Sequence, residues 1–259
     1  MNTPIRLTPA VKFLVIACVA VFVVQQTTDI YLHGSFTGWF ALVPHDFVFG
    51  LRLWQIVTYA FLHGDVMHLF LNLMMLVFIG SELESVWGTV RFLRYFFICS
   101  VGAGVLYLLL QTLIWRDTGL YTPMVGASGG IYGLLVAYGL LFGERVMLFM
   151  MMFPMKAKHF VWILAAIEFF SSVFSGRGGL ASAAHLGGMA VGFGALWLRA
   201  SIQIARKARA ERQALGTSRR KRAAAKHLKL VTSSSSPGLP RTNLDDSDDG
   251  NGKGPTTWH

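Results

Sequence analysis

Long apolar stretches separated by short polar segments run through most of this chain, and this pattern predicts membrane-spanning helices. A spanning helix needs about 20 apolar residues, or somewhat fewer where neighbouring helices support it. Six stretches fit this description: residues 13–28, 56–79, 92–115, 125–142, 160–174 and 181–198. A further candidate, residues 146–155, has only about half the necessary length and carries Pro154 near its end, so we interpret it as an interfacial loop.

Composition agrees with a polytopic membrane protein rather than a soluble domain. Of the 259 residues, 54% are hydrophobic and only 14% are charged, and the mean hydropathy is +0.52. The first apolar stretch ends in Gln-Gln-Thr-Thr (25–28) instead of a small-residue cleavage site, so we expect it to be retained as a span. Cys18 and Cys99 lie far apart within apolar stretches, which indicates buried thiols rather than a metal site or a redox pair.

The positions of the basic residues predict the orientation, because short cytoplasmic loops are enriched in Lys and Arg. With the N-terminus inside, the basic residues at 6, 12, 91, 94, 145, 156 and 158 and the basic tail are cytoplasmic, and only those at 52, 116 and 177 face outside. The opposite orientation would translocate the whole tail. We therefore predict an all-α membrane protein, a bundle of six transmembrane helices with a cytoplasmic N-terminus and a cytoplasmic C-terminus.

The C-terminal segment differs from the rest of the chain. From Arg199 onward it holds 13 of the 23 Lys and Arg residues against five acidic residues, and so carries +8 of the net charge of +10. It directly follows an apolar span and lacks interleaved aromatic residues, which favours contact with anionic lipid headgroups over nucleic-acid binding. We predict a membrane domain of residues 1–199 and a basic, largely disordered cytoplasmic tail of residues 200–259.

Polar and ionisable residues at membrane depth are rare and mark functional sites by default. A group of them stands near the starts of the second, fourth and sixth apolar stretches: His63, Asp65, His68, Asn72, Ser128 and His185. With the N-terminus inside, these even-numbered helices all run inward from the outer face, so their first turns share one depth. Singly, a histidine near a helix end can bind a backbone carbonyl, and an asparagine can join two helices. As a set at one level they favour a catalytic site.

The chemistry of these groups points to a serine nucleophile. A serine hydroxyl needs a base to take its proton, and His185 is the candidate base for Ser128. Ser128 at a helix start also offers its backbone N–H to an oxyanion, and His68 and Asn72, four residues apart on one helix face, add side-chain donors. Tyr132, four residues beyond Ser128, is placed to pack against the imidazole of His185. No acidic residue at matching depth is evident, so a serine-histidine dyad is predicted.

Other polar and small residues receive structural interpretations. Glu168 lies in the fifth span and Glu84 at the inner end of the second, at depths that do not match the cluster, so we expect them to make structural hydrogen bonds. His63 and His68 are five residues apart with no glutamate between them, unlike the His-Glu-x-x-His zinc motif, and no metal site is predicted. Small residues four apart, at 129 and 133 and at 188 and 192, would let the fourth and sixth helices approach closely.

Three segments together resemble the rhomboid family of intramembrane serine proteases. They are Gly126-Ala127-Ser128-Gly129 with Tyr132, the segment 63–72 (HGDVMHLFLN) with its His68 and Asn72, and Ala184-His185-Leu186-Gly187-Gly188. Their order, helix assignment and spacing agree with the family across residues 54–198. Gly-x-Ser-Gly alone would be a weak match, whereas three motifs in the right order are highly specific.

The resemblance implies a six-helix rhomboid-like bundle with a water-filled cavity open to the outside and a dyad of Ser128 and His185. It implies an oxyanion site of His68, Asn72 and the Ser128 backbone, and no cofactor. Family substrates are transmembrane proteins cut in or near the membrane after a small residue. The fifth helix and residues 175–179 would correspond to the gate and cap. One departure is Trp54-Gln55, where many members have Trp-Arg.

We therefore predict an intramembrane serine endopeptidase whose partners are transmembrane protein substrates and membrane lipids. One alternative is a catalytically silent relative that binds membrane clients, although such proteins typically lack the serine or the histidine. Another is a transporter that uses buried histidines as a proton relay. The compact form without an organelle presequence resembles bacterial members and predicts a multi-pass protein of the bacterial plasma membrane. The sequence indicates neither the physiological substrate nor the oligomeric state.

Overall fold

The computed structural model describes residues 7–113, 119–149, 153–175 and 179–234, and most of these are helical. In chain order the helices are α1 (Pro9–Gln26), α2 (Phe36–Phe40), α3 (Pro44–Val48), α4 (Gln55–Thr58), α5 (Val66–Met75), α6 (Ser81–Trp87), α7 (Thr89–Leu113), α8 (Ser128–Leu141), α9 (Ala157–Phe174) and α10 (Gly179–Ser234). Two π-helical turns, Thr27–Tyr31 and Leu76–Gly80, extend α1 and join α5 to α6. A 3-10 turn, Tyr59–Phe61, follows α4.

Among the described residues, five helical stretches are long and apolar enough to cross a membrane, which makes this a multi-pass membrane protein. They are Pro9–Tyr31, Val66–Trp87, Thr89–Leu113, Ala157–Phe174 and Ala181–Lys226. The helix at the predicted fourth span, α8, is apolar but only 14 residues long. The helical membrane class is confirmed, while the count of six spans and the cytoplasmic termini stay predictions.

The second span begins later than predicted. The apolar stretch 56–79 starts with α4 and the 3-10 turn, and the continuous helical stretch begins only at Val66 and runs to Trp87. The cause is Asp65, whose side chain accepts a hydrogen bond from the His68 N–H at 2.8 Å and so caps the start of α5. His63 therefore lies in the connection before the helix and not on it.

A β-hairpin occupies the stretch that we interpreted as an interfacial loop. Strands β1 (Val146–Phe149) and β2 (Phe153–Lys156) pair antiparallel, and residues 150–152 between them lie outside the described part of the chain. Beside the hairpin, the Glu144 carboxylate accepts a hydrogen bond from Lys156 Nζ at 2.7 Å and a second from Lys158. These two lysines lower the pKa of Glu144 to about 2. The described residues of this stretch form one pair of strands, so the stretch is neither a helical span nor an irregular loop.

The chain divides into two compact units, Met1–Ile202 and Gln203–His259. In the second unit the described residues are helical to Ser234, and their side chains are exposed through residue 226. We predicted a largely disordered tail here; the segment is rich in Ala, Arg and Lys, which favour helix over coil. The division into domains at residue 199 stays a prediction.

The connection between the first two spans is anchored through Gln55. This fully buried side chain accepts a hydrogen bond from the Val43 N–H at 3.1 Å and donates one to the Trp39 carbonyl at 3.3 Å. The Trp54 indole N–H donates to the same carbonyl at 3.0 Å. Gln55, the residue that departs from the family pattern, thus holds this connection through neutral hydrogen bonds. Trp39 and Trp54 themselves stay exposed, as expected of residues at a membrane interface.

Glu84 has the structural role that we predicted. Its carboxylate accepts hydrogen bonds from the Ala10 N–H at 2.9 Å, the Val11 N–H at 3.0 Å and the Thr89 hydroxyl at 2.6 Å. Thr8 donates a further hydrogen bond to it. Because the first N–H groups of a helix have no acceptor within the helix, Glu84 satisfies the start of α1 and ties it to α6 and α7.

The centre of the membrane unit is the short helix α8, which packs against α7 and α10 along its glycine-rich face. Gly133 is buried against Cys99, and the Tyr95 hydroxyl donates a hydrogen bond to the Gly133 carbonyl at 3.0 Å. Gly188 on α10 faces the backbone of Gly129 so closely that a Cβ at position 188 would overlap the Gly129 carbonyl oxygen. The expected close approach of the fourth and sixth helices is confirmed.

We expect Gly188→Ala to destabilise the protein, because the added methyl group requires α8 and α10 to move apart. Overpacking of this kind costs about 1–3 kcal/mol of unfolding free energy. The matched control is Gly194→Ala on the same helix, where nothing lies within 4 Å of the added Cβ. Unfolding of both variants in detergent, followed by circular dichroism, checks this. Equal stability of the two variants would contradict the close approach.

Candidate active site

Backbone hydrogen bonds fix the segment of chain that precedes Ser128 at the start of α8. Leu42 and Met124 exchange backbone hydrogen bonds of 3.0 and 2.9 Å, and the Gly126 N–H donates to the Tyr59 carbonyl at 2.9 Å. Gly126 has a φ of +122°, a conformation that favours glycine. The chain then turns into α8, whose first residue is Ser128.

His185 faces this serine from α10. Its Nε2 lies 2.7 Å from the Ser128 Oγ, within hydrogen-bonding distance. On the same side of α8, one turn beyond Ser128, the ring of Tyr132 stacks on the His185 imidazole with 4.3 Å between centroids and 8° between planes. The predicted contact between Tyr132 and His185 is confirmed, and so is the approach of Ser128 to His185.

A carboxylate completes this group, contrary to our expectation. Glu168 on α9 places its Oε1 3.0 Å from the His185 Nδ1, and the Tyr132 hydroxyl donates a hydrogen bond to the same oxygen. The prediction that Glu168 lies at a different depth is therefore wrong. Phe174, the last residue of α9, is six residues after Glu168, and Gly179, the first of α10, is six residues before His185. Residues equally far from the connection of two successive helices lie at about the same level.

The contact with Glu168 bears on which nitrogen of His185 carries the proton. An ionised carboxylate only accepts hydrogen bonds, so with Glu168 ionised the Nδ1 that faces it is the donor. In the neutral ring Nε2 is then left as an acceptor, and the hydrogen bond with Ser128 runs from the hydroxyl to the imidazole. This is the tautomer that a histidine needs to remove a proton from serine.

His68 and Asn72 lie on α5, on the other side of Ser128. A Cβ at Gly126 would lie 2.9 Å from the His68 Nε2 and 3.6 Å from the Ser128 Oγ, which places both side chains around this glycine. Asn72, one turn farther along α5, is buried, and its Nδ2 has no hydrogen-bond partner among the described residues. The structure thus brings His68 close to Ser128, and one turn farther along the same helix it holds a buried amide donor that no described residue pairs.

His63 packs against the ring of His68. It is fully buried, and its ring meets that of His68 edge-on with 5.2 Å between centroids. Gln25 holds its backbone through two hydrogen bonds, donating to the His63 carbonyl at 3.0 Å and accepting from its N–H at 3.1 Å. Burial is the main cause that lowers the pKa of His63 to about 4, so the ring is neutral near pH 7.

The structure thus brings Ser128, His185 and Tyr132 together with His68 nearby. The sequence reasoning missed the contact of Glu168 and placed His63 on the second helix instead of before it. Glu168 was assigned to the wrong depth, although its distance from the helix connection gave the signal. The supporting position of His63 behind His68 depends on the break before α5, for which Asp65 was the only sign. Among the residues that the structure describes, no three His, Cys, Asp or Glu side chains converge in a way that could hold a metal ion.

Comparisons with known proteins match this region. A family model described as "Rhomboid domain" matches residues 50–202, more than half of the chain. "Rhomboid-related protein 3" from Homo sapiens is 32% identical over 117 residues, which are 45% of this chain and 25% of that protein. "Rhomboid protease GlpG" from Yersinia pseudotuberculosis serotype I (strain IP32953) is 24% identical over 186 residues, 71% of this chain and 60% of that protein. The chain thus spans less than two thirds of the length of these relatives.

The low pKa of His63 predicts a loss of stability in acid. In the unfolded chain the histidine pKa is near 6.5. Between pH 6.5 and pH 4 the unfolded chain therefore binds a proton that the folded protein does not bind. The unfolding free energy falls as the pH drops through this window. The full effect is about 3 kcal/mol. We expect the difference in unfolding free energy between pH 7 and pH 4 to shrink by about this amount in His63→Asn. An unchanged difference would contradict a buried neutral His63. The exposed His33, replaced by Asn, serves as the control.

Proposed function

The chain belongs to the rhomboid family, and from this premise we propose that it is a serine endopeptidase that cleaves transmembrane proteins within or near the membrane. The observation that carries the proposal is the 2.7 Å separation of the Ser128 Oγ and the His185 Nε2. A relative named a rhomboid protease supports the reaction class. Because the identity is low and the alignment partial, activity, substrate and the roles of the residues belong to the proposal.

The reaction follows from the orientation of these two groups. Ser128 attacks the carbonyl carbon of the scissile peptide while His185 takes its proton through Nε2. The imidazolium then gives that proton to the leaving amine, and an acyl-enzyme on Ser128 remains. A water molecule, deprotonated by the same nitrogen, attacks the ester carbonyl and releases the second product, which restores the serine.

The negative charge that develops on the carbonyl oxygen needs donors already in place. Asn72 supports this role because its buried Nδ2 has no partner among the described residues. His68 lies beside Gly126, next to the serine. The backbone N–H of Ser128 stands in the first turn of α8, where N–H groups have no acceptor within the helix and the dipole favours negative charge.

The membrane setting determines the class of substrate. The site is built by helices of the membrane unit, and a hydrolase there acts on peptide bonds that reach it from membrane-embedded chains. The distribution of basic residues supports six spans with both termini cytoplasmic, which would open the site toward the outer face. The basic segment after Arg199 would lie on anionic lipid headgroups. A bacterial plasma membrane remains our proposal for its location.

We expect Ser128→Ala and His185→Ala each to abolish cleavage of a model transmembrane substrate in proteoliposomes. Both should also lose labelling by a fluorophosphonate probe, because the first lacks the nucleophile and the second lacks the base that activates it. Ser85→Ala, an exposed serine bonded only to the Glu82 carbonyl, is the control and should keep both activities. Cleavage that persists in Ser128→Ala would refute the assignment. A wild type that captures substrate without cutting it would instead indicate a client-binding protein.

We expect Asn72→Leu to lower kcat by about 10²–10³-fold, which is the usual effect of removing one oxyanion donor. Because no described residue accepts a hydrogen bond from Nδ2, the replacement should cost little unfolding free energy. The control is Ser81→Ala, which removes another buried polar group without a described partner, in the helical stretch Val66–Trp87 that also carries Asn72. It should leave kcat unchanged. Equal kcat values for both variants, measured on the same substrate, would contradict the role of Asn72.

A further inference from the structure

We propose that Glu168 is the positioning residue for His185, holding the imidazole in the tautomer and orientation that allow it to deprotonate Ser128. This inference rests on the proposed function and changes its chemistry from a dyad to a Ser128–His185–Glu168 arrangement. The three groups come from α8, α10 and α9, so three separate helices meet at one imidazole ring.

The geometry carries the inference. The Glu168 Oε1 lies 3.0 Å from Nδ1 on one side of the ring, and the Ser128 Oγ lies 2.7 Å from Nε2 on the other. The carboxylate thus occupies the position from which it both accepts the Nδ1 proton and faces the imidazolium that forms when Nε2 is protonated. Such a partner matters because the wrong tautomer presents an N–H to the serine and cannot act as a base.

Burial strengthens the case. The side chains of His185 and Glu168 are only 20% and 10% exposed, and they lie inside spanning helices. A carboxylate in such a place is costly unless it is paired. Here two of the partners, His185 and Tyr132, belong to the site itself and Ser182 is a third. The buried carboxylate of Glu84 is instead satisfied by two backbone N–H groups and two threonines.

Tyr132 restricts the movement of both the Glu168 carboxylate and the His185 ring. Its hydroxyl donates to the same Oε1 that faces His185, and its ring lies parallel to the imidazole at 8°. The hydrogen bond fixes where the carboxylate oxygen stands, and the stacking fixes the plane of the imidazole. Rotation of His185 away from Ser128 would therefore break contacts with both neighbours at once.

The test compares Glu168→Gln and Glu168→Leu with the wild type in proteoliposomes. Leucine removes both the acceptor and the charge, and we expect kcat to fall by about 10²–10⁴-fold with little change in KM, as for loss of the acid in a serine protease triad. Glutamine keeps the size of the side chain but loses the charge and can present its NH2 group to Nδ1, which favours the wrong tautomer, so we expect a fall in kcat of the same order with less loss of stability. The matched control is Glu84→Gln, which should lower the unfolding temperature without changing kcat.

A second readout follows the tautomer directly. In protein labelled with ¹⁵N-histidine, the wild type should show a low-field proton resonance from the His185 Nδ1–H, assigned by its loss in His185→Ala. Glu168→Leu should lose this resonance even where the protein stays folded. A structural tie between helices would not produce this combination, because it would affect stability and leave kcat and the tautomer unchanged.

The outcomes separate the two proposals. Glu168 variants that are destabilised like Glu84→Gln but retain the kcat and the resonance of the wild type would overturn the positioning role. Absence of the low-field resonance from the wild type would also overturn it. A wild type that cleaves no substrate but shows the Glu168-dependent resonance would refute the proposed function while supporting the assignment of Glu168.

Discussion

The arrangement of the site depends on the contact between the backbones of α8 and α10. Ser128 and His185 are 57 residues apart in sequence, and their side chains are short, so they meet only if the two helices nearly touch. Gly188 facing the Gly129 carbonyl permits this approach, because no side chain stands between the two backbones. A methyl group at this contact would push the two helices apart. The packing of Gly129 and Gly188 therefore acts on the distance between Ser128 and His185, which stand on the same two helices.

Two buried carboxylates show how the same chemistry in the membrane yields different roles. Glu84 and Glu168 are both almost fully buried, and each accepts hydrogen bonds from more than one partner. Glu84 faces backbone N–H groups, which cannot titrate or move, so its interactions stabilise a helix start. Glu168 faces an imidazole, a phenol and the Ser182 hydroxyl. The partners, more than the burial of the carboxylate, distinguish a structural acid from one that can influence a reaction.

The sequence predicted the site well wherever helix direction and spacing were sufficient. The convergence of Ser128, His185 and Tyr132 follows from parallel helices and from the four-residue spacing of Ser128 and Tyr132. The start of the second span did not follow from the apolar pattern, because the apolar stretch begins at residue 56 and the continuous helix only at Val66. The sign of this start is Asp65, whose side chain caps α5. Glu168 was missed because depth was judged from the stretch as a whole. Counting outward from the connection between the two helices would have placed it level with His185.

The position of Glu168 also has a consequence for how the site is held together. Its helix, α9, is the least buried of the five candidate spans, and its buried residues are Ala157, Phe160 and Glu168. Val161 and Leu164 pack against the core from one side of α9, and beyond them Glu168 adds hydrogen bonds with His185 and Tyr132. An outward displacement of α9 would withdraw the acceptor from His185, whereas Ser128 and Tyr132 would remain on α8. The helix with the weakest packing is thus the one whose position determines the protonation geometry of the base.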